Sequence, residues 1–369
     1  MKLLASCSPG EIRVAALSGD EMVDFAIWRP GCPDGVGDLH RGLVAARVSA
    51  MAGCFVRLAG GAEGFLPDSD APEGLTGGAA VGVRVRRAAR GGKGPRLTGR
   101  ISDSELAQVE AGTGLALLKR GPGAVEVLAA RYPGAEVAVD DAGVMARLRP
   151  ALEGRLRLVT AAFDAETEAA VAALGEVEAA LPGGARMSVT PTPALVAIDV
   201  DLGAASAMGG SKTRAQMAAN RALLPALARQ IRLRSLAGAI VVDLGGLPVR
   251  ARARLALELT SALADDPAKP RVLGITALGL IEILRPGAHP PLHEMLAGPH
   301  AAGLAGLRAA DSLVRATPAS APILHAAPAV EAALSDDTVA RDDWTRRTGR
   351  PWPVRAEATM GGCQWRLEP

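Results

Sequence analysis

At 369 residues the chain is long enough for two or three domains, each burying a core without disulfides or metal staples. Apolar residues make up 49% and charged residues 22%, which excludes wholesale disorder. With 41 basic against 39 acidic side chains the net charge is only +2, so a nucleic-acid partner can be argued only from how the charge is distributed. Four Phe, four Trp and one Tyr cannot fill such a core, which must be built from Ala, Val, Leu and Ile. The four cysteines (Cys7, Cys32, Cys54, Cys363) form no C-x-x-C pair, a pattern of reduced thiols and not of a zinc ribbon. The N-terminal apolar stretch stops at Ser8-Pro9, too short for a secretory leader, and the best apolar run, VLGITALGLI, stops at Glu282, short of the ~18 residues of a membrane span. A cytoplasmic protein with no membrane span is expected.

Along the chain, EIRVAAL and EMVDFAIW flank Ser18-Gly19-Asp20 and predict a hairpin, and a Pro/Gly cluster at 30–37 closes that unit. Four short strand-like runs between 41 and 100 predict a small β-barrel. After Arg100 the pattern becomes helix and strand in alternation. ISDSELAQVEAG opens with a Ser-x-x-Glu cap, AVEVLAARYPG and AGVMARLRPAL read as helices, and AEVAVDD reads as a strand ending on two acids. AETEAAVAALGEVEAAL predicts one helix up to Pro182. Beyond it come strand 194–201, helix 213–236 interrupted by Pro225, strand 237–244, helix 249–265 and strand 271–276. This is an α/β pattern with a largely parallel sheet, followed by a small Pro-punctuated αβ appendage carrying Trp344, Trp352 and Trp365.

Two features could carry chemistry. Asp199 and Asp201 lie two apart at the end of one predicted strand and therefore share a face, and Asp243 ends the next. The helix between them suits a right-handed crossover, which brings all three carboxylates to one sheet edge. Clustered carboxylates repel unless protonated or bridged by a cation, and such hard oxygen donors suit Mg²⁺ or Mn²⁺; the alternative is a set of solvated strand-end caps. The second feature is the run 84–100, with seven basic side chains and no acid, next to Phe55 and Phe65 on predicted barrel strands. It is either a phosphate-tracking surface with stacking rings or a solvated basic edge with both rings in the core. Gly210-Ser211-Lys212-Thr213 lacks P-loop spacing, His289 and His293-Glu294 are broken by Pro290-Pro291, and no Gly-x-Ser-x-Gly elbow occurs.

The order of pieces resembles the bacterial ribonuclease E/G family. The carrying residues are Glu11-Ile-Arg-Val-Ala-Ala-Leu, Cys54-Phe-Val-Arg-Leu58, Glu63-Gly-Phe-Leu66, Gly92-Lys-Gly-Pro-Arg-Leu-Thr98 and Val137-Ala-Val-Asp-Asp141. More specific are Ala197-Ile-Asp-Val-Asp-Leu-Gly203, the long block Arg229 to Asp243 (RQIRLRSLAGAIVVD) and Gly279-Leu-Ile-Glu282. The resemblance implies a multidomain α/β fold. An RNase H-like subdomain (1–37 and 101–190, the latter with a reduced 5′-sensor region) would be interrupted by an S1/OB-type barrel (38–100). A DNase I-like catalytic subdomain (191–315) and a small C-terminal domain (316–369) would follow.

The same resemblance implies a Mg²⁺-dependent endoribonuclease of single-stranded RNA. Asp199 and Asp243 would hold Mg²⁺ (or Mn²⁺), and Phe55, Phe65 and Lys93 would contact RNA; the strand-end acids and the basic run add Asp201 to the catalytic group and Arg96 to the RNA contacts. The family has Asn where this chain has Asp201, which makes a catalytically impaired RNA-binding homologue the alternative. The 5′-sensor segment is shortened and the zinc-linking cysteines are absent, so no zinc and no 5′-end sensing are expected, and any homodimer would form without a zinc link.

Overall fold

The structure, a computed structural model, describes residues 1–203 and 212–369; the Gly210-Ser211 half of the P-loop-like motif lies outside the described residues. The chain divides into two units, Met1–Pro33 with Ala124–Arg285 and Pro291–Pro369, and Asp34–Gly123 with Pro286–Pro290. The first unit opens with β1 (Lys2–Ser8), β2 (Glu11–Ser18) and β3 (Glu21–Trp28), an antiparallel meander containing the predicted hairpin. Strand β1 is almost wholly buried, so it shows no alternation of polar and apolar residues. That is why it reads only as an apolar N-terminal stretch.

The second unit contains β4 (Leu39–Val48), β5 (Gly53–Arg57), β6 (Glu63–Pro67), β7 (Ala80–Arg87) and β8 (Arg96–Thr98). The pairings β4–β5–β6–β8–β7–β4 close a five-stranded barrel, with β6–β8 the parallel pair. Val44, Val56, Leu66, Val83 and Leu97 fill it. The helix α1 (Asp103–Glu110) starts at the predicted cap: the Ser102 hydroxyl accepts from the Glu105 N–H, and the Glu105 carboxylate accepts from the Ser102 N–H. A further strand, β9 (Ala116–Lys119), pairs with β4. Residues 101–119, assigned from the sequence to the next domain, thus lie in the barrel unit.

Back in the first unit, α2 (Ala124–Arg131), β10 (Glu136–Val139), α3 (Ala142–Leu152) and β11 (Leu156–Leu158) complete a five-stranded sheet of order β11-β10-β1-β2-β3, in which β1, β10 and β11 are parallel. The helix expected over 165–181 is shorter: α4 (Ala165–Ala173) ends before Gly175, and Glu178–Ala180 forms the edge strand β12. Its Ala-rich continuation is a good helix former, but pairing with β13 (Arg186–Pro191) overrides that propensity.

A second sheet follows, from β14 (Val196–Asp201), α5 (Lys212–Leu233), β15 (Gly238–Leu244), α6 (Val249–Ala262), β16 (Arg271–Ile275) and β17 (Ile281–Arg285). Its order is β12-β13-β14-β15-β17-β16, and only β14–β15 is parallel. The expectation of a largely parallel sheet is therefore wrong here. A parallel pair needs a long crossover, and α5 supplies the one between neighbours; β16–β17 and β13–β14 are joined by tight turns and are antiparallel. Pro225 does not interrupt α5, which runs through it as a single helix with Leu223, Leu224, Leu227 and Ile231 buried against the sheet. That burial offsets the backbone hydrogen bond that proline cannot donate.

The C-terminal part comprises α7 (Leu292–Met295), α8 (Gly298–Ala316), β18 (Ile323–Ala326), α9 (Pro328–Ser335), α10 (Thr338–Thr348), β19 (Val354–Ala356) and β20 (Trp365–Glu368). Leu304 and Leu307 of α8 pack with Leu324, Leu334 and Trp344. A Cβ at Gly303 would lie 2.5 Å from Leu334 and one at Gly306 2.8 Å from Leu324, so the glycines that break the sequence pattern are where this core closes. Among the described residues no helix is long and apolar enough to cross a membrane.

Candidate active site and nucleic-acid interface

Strands β14 and β15 alternate so that Val196, Ile198, Val200, Ile240, Val242 and Leu244 face the helices α5 and α6, leaving Asp199, Asp201 and Asp243 on the other face. In the parallel ladder Asp199 is the register partner of Asp243, so the two carboxylates stand side by side on that face. Asp199 is exposed and makes no hydrogen bond or ion pair among the described residues, whereas the side chain of Asp243 is 44% exposed and accepts at Oδ1 from Arg252 Nη1 at 2.6 Å. Asp243 Oδ2 has no protein partner among the described residues.

Asp201 does not join them in a three-carboxylate cluster. Its Oδ1 accepts the Gly203 N–H at 2.9 Å, and its register partner is Arg186 of β13. Among the described residues no group of three or more His, Cys, Asp or Glu is placed to hold a metal ion. The convergence expected of all three acids therefore reduces to a pair, because Asp201 lies one pleat further along β14, beyond Leu244 at the end of β15. Two hard carboxylates with free oxygens still suit Mg²⁺, which keeps several of its waters and needs only one or two protein carboxylates.

The loop after Asp243 is fixed from behind. Asn220 of α5, fully buried, donates from Nδ2 to Gly245 O at 3.2 Å and to Gln216 O at 2.9 Å. At Gly246, with φ of 77°, a Cβ would lie 2.4 Å from Gln216 Nε2, so only glycine fits. Glu282 of β17, opposite Val241, lies on the same face as Asp243. Sequence reasoning missed Arg252 and Asn220 as parts of this site, since nothing in a helical run of Arg and Ala marks which cation reaches back to a strand end.

On the barrel, Phe55 and Phe65 are register partners on β5 and β6, with ring centroids 5.6 Å apart in an edge-to-face arrangement. Both are half-buried and neither belongs to the buried core of the barrel, which favours a surface role over the core alternative. Arg96 is the partner of Phe65 across the β6–β8 pair, and Lys93 lies in the turn closed by the Arg90–Lys93 bridge. The basic run is partly neutralised: Arg84 pairs with Glu105, and Arg86 and Arg100 pair with Asp70. Arg87, Lys93 and Arg96 are exposed and carry no ion pair among the described residues. The cationic surface is thus smaller than the seven-residue run suggests, and it adjoins the two rings.

A mixed α/β chain carrying a closed OB-like barrel and a pair of strand-borne aspartates is the class of protein these features define. Residues 139–287, which include both aspartates, match the sequence model of the Ribonuclease E/G family. Over this segment the chain is similar to the ribonuclease E/G family. It is 35% identical over 122 residues to ribonuclease E of Nostoc sp. (31% of this chain, 17% of that protein). It is 30% identical over 151 residues to ribonuclease E of Escherichia coli K12 (40% and 14%) and 31% identical over 137 residues to ribonuclease G of the same strain (36% and 27%). The matched stretch spans well under a third of the length of each of these relatives.

Proposed function

We propose that the chain is a divalent-metal-dependent endoribonuclease that hydrolyses single-stranded RNA, leaving a 5′-phosphate and a 3′-hydroxyl, in RNA processing or decay. The observation that carries this reading is the register pairing of Asp199 with Asp243 on the open sheet face, inside the segment similar to ribonucleases E and G. The sheet order β11-β10-β1-β2-β3 supports an RNase H-like subdomain, the aspartate-bearing sheet a DNase I-like one, and the closed barrel an S1-type one. Asp199 and Asp243 hold the ion; Mg²⁺ or Mn²⁺ bound there supplies Lewis-acid polarisation of a phosphate and a water of lowered pKa. Asp201 orders the Gly203 end of the strand through its own hydrogen bond. Phe55 and Phe65 offer stacking faces for unpaired bases, and Lys93 and Arg96 neutralise backbone phosphates. The protein works in the cytoplasm, without 5′-end sensing, and any homodimer forms without zinc.

The test is a 5′-labelled unstructured RNA incubated with the full chain in Mg²⁺ and in chelator. Cleavage confined to the Mg²⁺ arm is expected. RNA that is bound in a salt-dependent way and never cut would instead mark an RNA-binding protein that has lost turnover. On the barrel, Phe55→Ala and Phe65→Ala should each weaken binding of a labelled single strand by about 1–3 kcal/mol per base that loses its stacking partner, read by anisotropy. Unchanged affinity in both would assign the rings to packing alone. The double change Lys93→Ala with Arg96→Ala should flatten the slope of log K against log salt by about 1.4, two phosphate contacts at about 0.7 each for a single strand.

A further inference from the structure

Arg252 lies in the first turns of α6, a helix whose next arginine, Arg254, is exposed, yet its own side chain is only 14% exposed. Its guanidinium is held at three acceptors from three segments. Nε donates to Leu247 O at 2.9 Å, and Nη1 donates both to Gly279 O at 3.1 Å and to Asp243 Oδ1 at 2.6 Å. The turn between β16 and β17 leaves room for it: at Gly279 a Cβ would come within 3.4 Å of Arg252 Cδ and Nη1. A surface cation paired loosely with an acid has none of this, whereas a seat built from two backbone carbonyls fixes where the guanidinium, and hence the carboxylate bonded to it, can be.

We propose that Arg252 is a positioning residue for Asp243: by holding Oδ1 it fixes the carboxylate so that Oδ2 faces the open side of the sheet beside Asp199, as one arm of a two-carboxylate cation site. This rests on the metal-dependent reading above. A rival role is a plain counter-ion, which would compete with an incoming cation for Asp243. The two roles predict opposite signs. Loss of a positioning partner weakens divalent-cation binding, typically by about 10–100-fold for the hydrogen-bonded partner of a ligating group. Loss of a competitor strengthens it.

The experiment titrates the full chain with Mn²⁺ alone and follows the free-ion electron paramagnetic resonance signal, for the wild type, Arg252→Ala, Arg252→Lys, Asp199→Asn and Asp243→Asn, with circular dichroism confirming the fold of each. Expected are loss of the site in both aspartate variants, a 10–100-fold weaker site in Arg252→Ala, and substantial recovery in Arg252→Lys, which keeps a charged donor. In the Arg252→Ala enzyme, excess Mg²⁺ should restore RNA cleavage, a rescue that a purely structural defect would not show. Mn²⁺ binding in Arg252→Ala equal to or tighter than wild type overturns the positioning role while leaving the aspartate site intact. Should Arg252→Ala fail to fold, a wild-type affinity in Arg252→Lys supports the role and a gain in affinity overturns it. If Asp199→Asn and Asp243→Asn bind as the wild type does, the metal reading itself fails, and the proposal with it.

Discussion

Asp243→Asn and Asp199→Asn are each expected to lower RNA cleavage by more than about 100-fold, the upper end of what losing only an outer partner of a metal ligand costs. The substitution is nearly isosteric and removes one negative charge from a pair of carboxylates side by side in a parallel ladder. Without a cation that pair is mutually repulsive, so replacing either acid relieves repulsion in the resting protein. Thermal stability should therefore hold or rise in Asp199→Asn while turnover collapses; Asp243→Asn also gives up the charge that faces Arg252, so the stability arm is read on Asp199→Asn. That combination separates a working site from a structural one, and kinetics with a saturating oligonucleotide beside a melting curve reads it. Asp201→Asn, by contrast, keeps an oxygen that can accept the Gly203 N–H and should retain most of the activity.

The largest effect on stability is expected at Arg347 of α10. Its Nη1 donates to Asp141 Oδ2 at 2.5 Å, its Nη2 to Asp311 Oδ2 and to Cys7 O at 2.9 Å each, and its Nε to Asp311 Oδ1 at 3.2 Å. One guanidinium thus ties α10 to α8, to the start of α3 and to β1, with side-chain exposures of 8% for Arg347, 6% for Asp141 and 4% for Asp311. Arg347→Ala takes one of two arginines from each of two buried carboxylates, Asp141 keeping Arg346 and Asp311 keeping Arg315, so a loss of about 3 kcal/mol, the lower end for a broken buried pair, is expected. Denaturant melts of the wild type and variant measure it. Acid should erase part of the difference. Burial pushes the Asp141 carboxyl up, but the Val144 N–H and the Arg347 and Arg346 guanidinium groups outweigh it and hold the group below its ordinary 3.8. A carboxylate depressed in the folded state stabilises above its unfolded pKa, and that contribution fades as pH falls through the folded value. Asp141→Asn should accordingly lose stability at neutral pH and converge on the wild type well below pH 3.8.

What could be read from the residues follows the physics of each element. The β2–β3 hairpin declared itself through Gly19 and its flanking alternation, and the β14–α5–β15 crossover through two apolar runs ending on acids with a helix between. Local chemistry decided these, so they were legible. Strand β1 was hidden because burial on both faces removes periodicity, and β12 because an Ala-rich segment takes its conformation from the strand it meets. Pro225 misled for a related reason: long-range packing of α5 on the sheet outweighs one missing backbone donor.

At the site, position along the strands points to Asp199 and Asp243, but their direct register and the separation of Asp201 depend on how two strands align, which no spacing within either strand encodes. Arg252 depends on a turn closed at Gly279, 27 residues further along the chain, and could not be picked from its neighbours Arg250 and Arg254.

The most direct measurement is anomalous diffraction from crystals of the full chain soaked in Mn²⁺. A peak bound by both Asp199 and Asp243, at about the 2.1 Å of a Mg–O contact, is the predicted result. A peak elsewhere, or none at ion concentrations that support RNA cleavage, would contradict a catalytic ion held between these two strands.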